Sequence, residues 1–323
     1  MLAARFVPYL LLSLILLGAC VAPPRAPHYR DHPLVGRIWN VAEARFVSRA
    51  ELMAVFTAAD FILLGETHDN PDHHLMQAEI VTAMANAGRR PIIAFEMFDM
   101  TQQQALADHL RASPKDSAGI AEAVGWAQSG WPAWQLYQPI ADAALQADLA
   151  LRPANISRAR ARKLAQSGLQ GAGPNFVEDL GLDAPLPPAQ QESVRQEIDA
   201  AHCGYAPAEM IDAMAFAQFA RDAHMAREIS SGTEQSGAIL IAGAGHARRD
   251  RGVPLHLRRM APDRTVAALA FFEVSQGEES PESYAAPFES ETLPFDYVWF
   301  TARVDIRDAC ERFEEQLKKM RGE

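Results

Sequence analysis

Phe61-Ile62-Leu63-Leu64-Gly65-Glu66-Thr67-His68-Asp69-Asn70-Pro71 is the stretch that decides the fold. Four apolar residues between Asp60 and Gly65 are too few for a helix and read as a buried strand. Asn70 can cap a following helix, and Pro71 suits its first position. Glu66 and His68 therefore stand where a central strand ends and a crossover helix begins. In open α/β sheets that edge is where ligands bind.

The pattern repeats downstream. A helix over 71–87 is stopped by Gly88, and Pro91 to Glu96 is a second buried strand that again ends in a carboxylate. A helix opens at Thr101, and the aromatic segment Trp126 to Pro139 leads into another that ends near Ala147. Leu149 to Arg152 is a third strand, with Asn155 just beyond. Strand and helix in alternation predict an α/β fold with a mostly parallel sheet flanked by helices. From Gly168 to Pro188 the chain is rich in Gly and Pro and reads as a linker or irregular loop. Helices over 189–201 and 207–230 follow, as a smaller helical domain inserted beside the sheet. The Met210, Met214, Phe216, Phe219 and Met225 stripe of the second is expected to be core at helical spacing, with an adaptable Met-rich binding surface as the alternative. Strands resume at Ala238–Ala242, which runs into Gly243-Ala244-Gly245-His246, then at Thr265–Val274 and Tyr297–Phe300, with an acidic surface loop over 276–292. The expected α/β parts are 34–167 and 237–310, the insertion is 168–236, and 311–323 is a charged tail.

Arg5, the apolar run Val7–Leu17 and Leu17-Gly18-Ala19-Cys20 form a signal peptide over 1–19, the run being too short to span a bilayer. Cys20 directly after Leu-Gly-Ala looks like a bacterial lipobox, so Cys20 is the expected lipidated residue. Several acyl chains at about 0.8 kcal/mol per buried methylene would hold the protein to a membrane. Val21 is not the Asp of an inner-membrane retention signal, which points to the outer membrane, facing the periplasm. Residues 20–33, with four prolines, read as the lipidated Cys and its tether. For Cys203 and Cys310, a disulfide and two buried free thiols fit the sequence equally.

The 323 residues are 49% hydrophobic, enough for one large or two modest domains. A net charge of −11 and a pI near 5.4 argue against a nucleic-acid partner. No Gly-x-Ser-x-Gly elbow, Gly-rich phosphate loop with Lys or zinc-type Cys pair is present. Three strand ends supply Glu66 and His68, Glu96, and His246. In a parallel sheet they share one edge, where two imidazoles and two carboxylates could hold a divalent metal or run acid–base chemistry without one. Gly243 and Gly245 would let the backbone turn sharply beside His246. His73 and His74 point about 100° apart on the helix; exposure is the expectation for both, with one of them facing the pocket as the alternative, and they are left out of the site. Trp131-Pro132-x-Trp134-x-x-Tyr137-x-Pro139 is either a packed cluster or a platform for a flat ligand.

Leu64–Pro71, Phe95-Glu96-Met97, Trp131–Pro139, Gly243–Arg248 with Gly252-Val253-Pro254, and Asp296–Thr301 occur here in one order. Together they resemble the ChaN-like family of haem-binding, iron-regulated lipoproteins, over about Leu34 to Cys310. The resemblance implies a large α/β domain with a smaller helical one. It also implies haem held at a homodimer interface by a tyrosine, for iron uptake or storage, with an outer-membrane haem receptor as partner. Tyr137 is the first candidate ligand and Tyr297 the second. The Tiki metal-dependent proteases and erythromycin-esterase-like enzymes carry similar Gly-x-x-His motifs. The alternative expectation is therefore a metal-dependent hydrolase built on Glu66, His68, Glu96 and His246. Ala244, where a polar residue such as Asn is expected, departs from many of those relatives.

Overall fold

Short apolar runs alternating with capped helices build one eight-stranded sheet. The computed structural model describes residues 25–184, 186–233, 236–288, 290–308 and 310–311; the expected signal peptide, Cys20 and nearly all of the tail lie outside them. The strands are β1 (Ile38–Asn40), β2 (Arg45–Val47), β3 (Phe61–Glu66), β4 (Ile92–Asp99), β5 (Leu151–Asn155), β6 (Ala238–Gly243), β7 (Val266–Glu273) and β8 (Tyr297–Thr301). The first helices are α1 (Arg49–Ala58), α2 (Pro71–Asn86), α3 (Gln103–Ala112), α4 (Ile120–Ala123) and α5 (Trp134–Gln146). The later ones are α6 (Arg158–Ala172), α7 (Pro174–Leu180), α8 (Pro188–Ala201), α9 (Ala208–Ser230) and α10 (Val253–Met260). Across the sheet the order is β2-β1-β8-β7-β3-β6-β4-β5, and only β1 pairs antiparallel, with β2 and β8. The α/β, mostly parallel architecture is as expected.

β3 lies at the centre, with β6 on one side and β7 on the other, and every residue of β3 and β6 is buried. Alternation sends Ile62, Leu64, Ile239 and Ile241 to one face, against α2 and α5. Phe61, Leu63 and Leu240 go to the other, against α9 and α10. The helix after β3 and the helix after β6 thus cover opposite faces. Neighbouring parallel strands whose crossovers part in this way open a crevice at their carboxyl ends. Glu66 stands opposite Gly243 at that point.

Asn70 caps α2 as expected, its Oδ1 accepting from the Asp72 N–H at 2.9 Å, and Pro71 occupies the first turn. A third apolar cluster, separate from the sheet, joins α6, α7, α8 and α9 through Leu164, Leu180, Val194 and Phe219. Cys203, in the α8–α9 turn, is disulfide-bonded to Cys310.

Two expectations are corrected. The stretch from Gly168 to Pro188 is largely helical: Gly168, Gly173 and Gly181 take positive φ and punctuate short helices, while Leu180 and Leu182 are buried in the third cluster. Glycine here ends one helix and permits the next, so its abundance does not mark a loop. Residues 25–33 lie on the domain and do not form a free tether. The Asp72 carboxylate accepts from the N–H groups of Arg25 (2.7 Å) and Ala26 (3.1 Å), and Ala26 is fully buried.

Candidate functional site

The three strand ends do converge. β3 delivers Glu66 and the turn after it His68; β4 delivers Glu96; the short turn after β6 delivers His246. The glycines that permit this supply space, and the expected sharp turn is not their role: Gly243 has φ −58°, and neither Gly243 nor Gly245 is left-handed. A Cβ on Gly243 would come within 3.0 Å of His68 Nε2, so the imidazole lies over the end of β6. A Cβ on Gly65 would stand 2.8 Å from Ala244 Cα and 3.0 Å from Ala247 Cβ. That glycine is what lets the His246 turn settle on β3.

Two buried carboxylates each organise a cluster. Around Glu66, Oε1 accepts from the Tyr137 hydroxyl at 3.0 Å and from His68 Nδ1 at 3.0 Å, and Oε2 faces His74 Nδ1 at 3.2 Å. His74 Nε2 lies 3.1 Å from the His68 carbonyl, so both His74 nitrogens face acceptor oxygens, an arrangement that favours the charged ring. Burial opposes that charge, but Glu66 outweighs it and raises the His74 pKa. Burial likewise opposes the Glu66 charge, and the charge of His74 followed by the His68 hydrogen bond brings its pKa down to about 2. Burial and then the Glu66 charge push the Tyr137 phenol upward, so it stays protonated.

Around Glu96, Oε2 accepts from the Gly243 N–H at 2.8 Å and Oε1 faces His246 Nε2 at 3.2 Å. His246 Nδ1 meets Asp222 Oδ1 at 2.6 Å, and the Gln218 carboxamide lies 3.1 Å from both ring nitrogens. With a carboxyl group at each end, His246 is an imidazolium. Burial opposes it, yet Glu96 and then Asp222 push its pKa up to about 10. Against burial, the His246 charge holds Glu96 below the ordinary carboxylate range. Burial holds Asp222 above its ordinary value.

His68 is the accessible member. Its side chain is 35% exposed, against 0% for Glu66, 1% for His74 and 6% for His246. With Nδ1 turned to Glu66, Nε2 is the nitrogen left open, and among the described residues it has no hydrogen-bond partner. Burial lowers the His68 pKa, but the hydrogen bond to Glu66 and the charge of Glu96 prevail and raise it. Trp131 approaches the ring edge-on at 4.8 Å between centroids.

Tyr137 is fully buried and its hydroxyl donates into the Glu66 cluster, so it enters the site as a proton donor beneath His68. Tyr297 is not brought to the site: it starts β8, opposite Leu269, two strands from β3. Among the described residues, no group of three His, Cys, Asp or Glu side chains is arranged to hold a metal ion. The four candidate ligands are instead turned in pairs upon one another.

Sequence reasoning missed four residues. His73 and His74, expected exposed, are both fully buried. His73 accepts from the Thr67 N–H at 2.9 Å and donates to Thr301 Oγ1 at 2.8 Å, and burial takes its pKa down to about 3. It is a neutral rivet between the β3–α2 turn and β8. Gln218 and Asp222 sit one turn apart on α9, on one face. That i, i+4 polar pair inside an apolar helix was the available signal. Of the aromatic segment, Trp126, Trp134 and Tyr137 pack together in the core, and only Trp131 flanks the crevice.

The sequence profile of the family described as "Haem-binding uptake, Tiki superfamily, ChaN" matches residues 52–257, a span holding Glu66, His68, Glu96, Tyr137 and His246. The chain belongs to this family. Among solved structures it is similar to one described as "Cofacial heme binding to ChaN of Campylobacter jejuni", at 19% identity and a TM-score of 0.63, over 81% of this chain and 95% of that one. More distant similarity reaches a mutant of the erythromycin esterase EreC in its open conformation, at 14% identity and a TM-score of 0.44, over 80% of this chain and 95% of that one. The type III effector HopBA1 is similar at 14% identity and a TM-score of 0.41, over 78% of this chain and 92% of that one. No curated protein sequence matches the chain.

Proposed function

We propose that this protein binds haem for iron uptake or storage, as a lipid-anchored outer-membrane protein facing the periplasm and dimeric when loaded. Membership of the haem-binding family, through a match that spans the whole crevice, carries the reading. The donor set is compatible with a porphyrin: His68 offers an unshared, partly exposed imidazole nitrogen steadied by Glu66, and Trp131 offers an aromatic edge beside it. Haem would supply the iron, carried with its porphyrin. Tyr137 would act from below, keeping Glu66 and hence the His68 tautomer in place; its own phenol is enclosed and held protonated.

The anchoring part of the proposal rests on Leu17-Gly18-Ala19-Cys20. It is supported by the Cys203–Cys310 disulfide, because such bonds persist in oxidising compartments such as the periplasm. No helix among the described residues is long and apolar enough to cross a membrane; the attachment proposed is the lipid on Cys20.

The test is a haemin titration of the detergent-solubilised protein, followed by absorption and by size. Saturation at one haem per chain with a monomer-to-dimer shift is expected. No saturable binding would sink the proposal.

One observation favours a second reading. An accessible imidazole whose Nδ1–H is fixed by a buried carboxylate is the arrangement of a general base, and the His246 imidazolium lies across the same crevice. A hydrolase without metal would use His68 Nε2 to take a proton from water. Hydrolysis of an ester panel that persists in His68→Ala would dispose of it.

A further inference from the structure

Beside the Glu96 end of the crevice a cleft of about 580 Å³ opens between the carboxyl ends of β4 and β5, the segment Val124–Trp131 that precedes α5, and the start of α6. That volume is in the range of small-molecule sites. Trp131 forms one wall, shared with His68. Arg158, on the first turn of α6, and Arg221, on α9 beside Asp222, line the same cleft. Among the described residues neither guanidinium has an ion pair or a hydrogen bond. Arg158 is exposed and Arg221 half-buried, so both charges are open to a ligand in the cleft. Arg158 is also positioned: a Cβ on Gly130 would lie 2.7 Å from its Nη2, so the guanidinium rests over that glycine, next to Trp131. The lining carboxylates are otherwise engaged. Glu96 is held by His246 and the Gly243 N–H, and Asp99 caps the turn at Met100–Gln102 through Oδ1.

We propose that Arg158 and Arg221 form a carboxylate-binding subsite, which takes the acidic side chains of a flat ligand whose ring system lies along Trp131 toward His68. The inference rests on the haem reading and specifies which groups of the porphyrin are recognised: its two propionates. Guanidinium suits this task, since it stays charged and donates to a carboxylate through a fork of N–H groups.

Metal-free protoporphyrin IX and its dimethyl ester separate the subsite from iron ligation. Each is titrated into the solubilised full chain and into the Arg158→Ala/Arg221→Ala variant, with Trp fluorescence as readout, and haemin is titrated in parallel. The expected result is that the free acid binds the native protein at least about tenfold more tightly than the ester. The variant should lose that preference while its affinity for the ester is unchanged. A native protein that does not distinguish acid from ester, or that binds neither, overturns the subsite. So does a variant that keeps the preference. Haemin binding that ignores the arginines overturns the subsite and leaves the haem reading standing. Arginine-dependent protoporphyrin binding without haemin binding supports the subsite and overturns the haem reading.

Discussion

Asp222→Asn removes one of the two carboxyl groups that hold His246 while keeping the shape of the side chain, so no cavity contributes. The His246 pKa moves from 6.5 to about 10 in the folded chain. At 1.36 kcal/mol per unit, that is about 5 kcal/mol favouring the charged ring. The sign follows from the raised value. The contribution is fully present below pH 6.5, where the unfolded chain is also protonated, and is lost as pH rises through about 10. Glu96 still pairs with His246 and the Asn oxygen still accepts, so the variant loses one charge-assisted hydrogen bond and should lose about 1.5–3 kcal/mol of stability at about pH 6. The gap should then narrow above about pH 10, because a neutral ring no longer needs two carboxylates. Urea unfolding at both pH values measures the gap, and histidine proton resonances followed by NMR report the titration itself. A loss below about 1 kcal/mol at the lower pH would refute the reasoning. A gap of equal size at both pH values would refute it too, as would a native His246 that titrates near its ordinary value.

Gly65→Ala should cost about 1–3 kcal/mol in urea unfolding, since its Cβ would collide with the Ala244 backbone. Gly243→Ala crowds the His68 ring and meets Glu96 Oε2 only at ordinary contact distance, so it should leave folding nearly intact and weaken haemin binding by displacing that imidazole a few tenths of an ångström; unchanged affinity would clear the ring of a role. Tyr137→Phe should cost about 1.5–3 kcal/mol, as a hydrogen bond to a charged group, while the spectrum of bound haemin stays as in the native protein; an altered spectrum would restore Tyr137 as an iron ligand. Reducing Cys203–Cys310, which closes a 107-residue separation, should lower stability by up to about 5 kcal/mol, read as the shift in denaturant midpoint with reductant.

The sheet was legible because its strands are short, apolar and bounded by turn residues, and because Asn70-Pro71 announces a helix. The edge that carries Glu66, His68, Glu96 and His246 followed from topology alone. What stayed hidden depends on tertiary approach. His74 looks like a surface residue in sequence, since its neighbours give no sign that Tyr137, 63 positions later, will cover it at 4.3 Å. Asp222 is one polar residue in a helix otherwise read by its methionines. The glycines around His246 were rightly singled out for the wrong reason: a sequence shows that a Cβ is absent, and only packing shows whether the backbone or a neighbour requires it. The same ambiguity made the segment after Gly168 resemble a loop.

Asp72 grips the N–H groups of Arg25 and Ala26 on the first turn of α2, at the edge of the sheet where His68 opens. With a lipid on Cys20, as proposed, the leash from membrane to folded domain is five residues, at most about 18 Å when fully extended. Its point of attachment would draw this edge, and not the opposite one, toward the bilayer. The crevice would then work as a near-membrane dock that exchanges its cargo across a gap of a few residues' length with whatever the membrane holds.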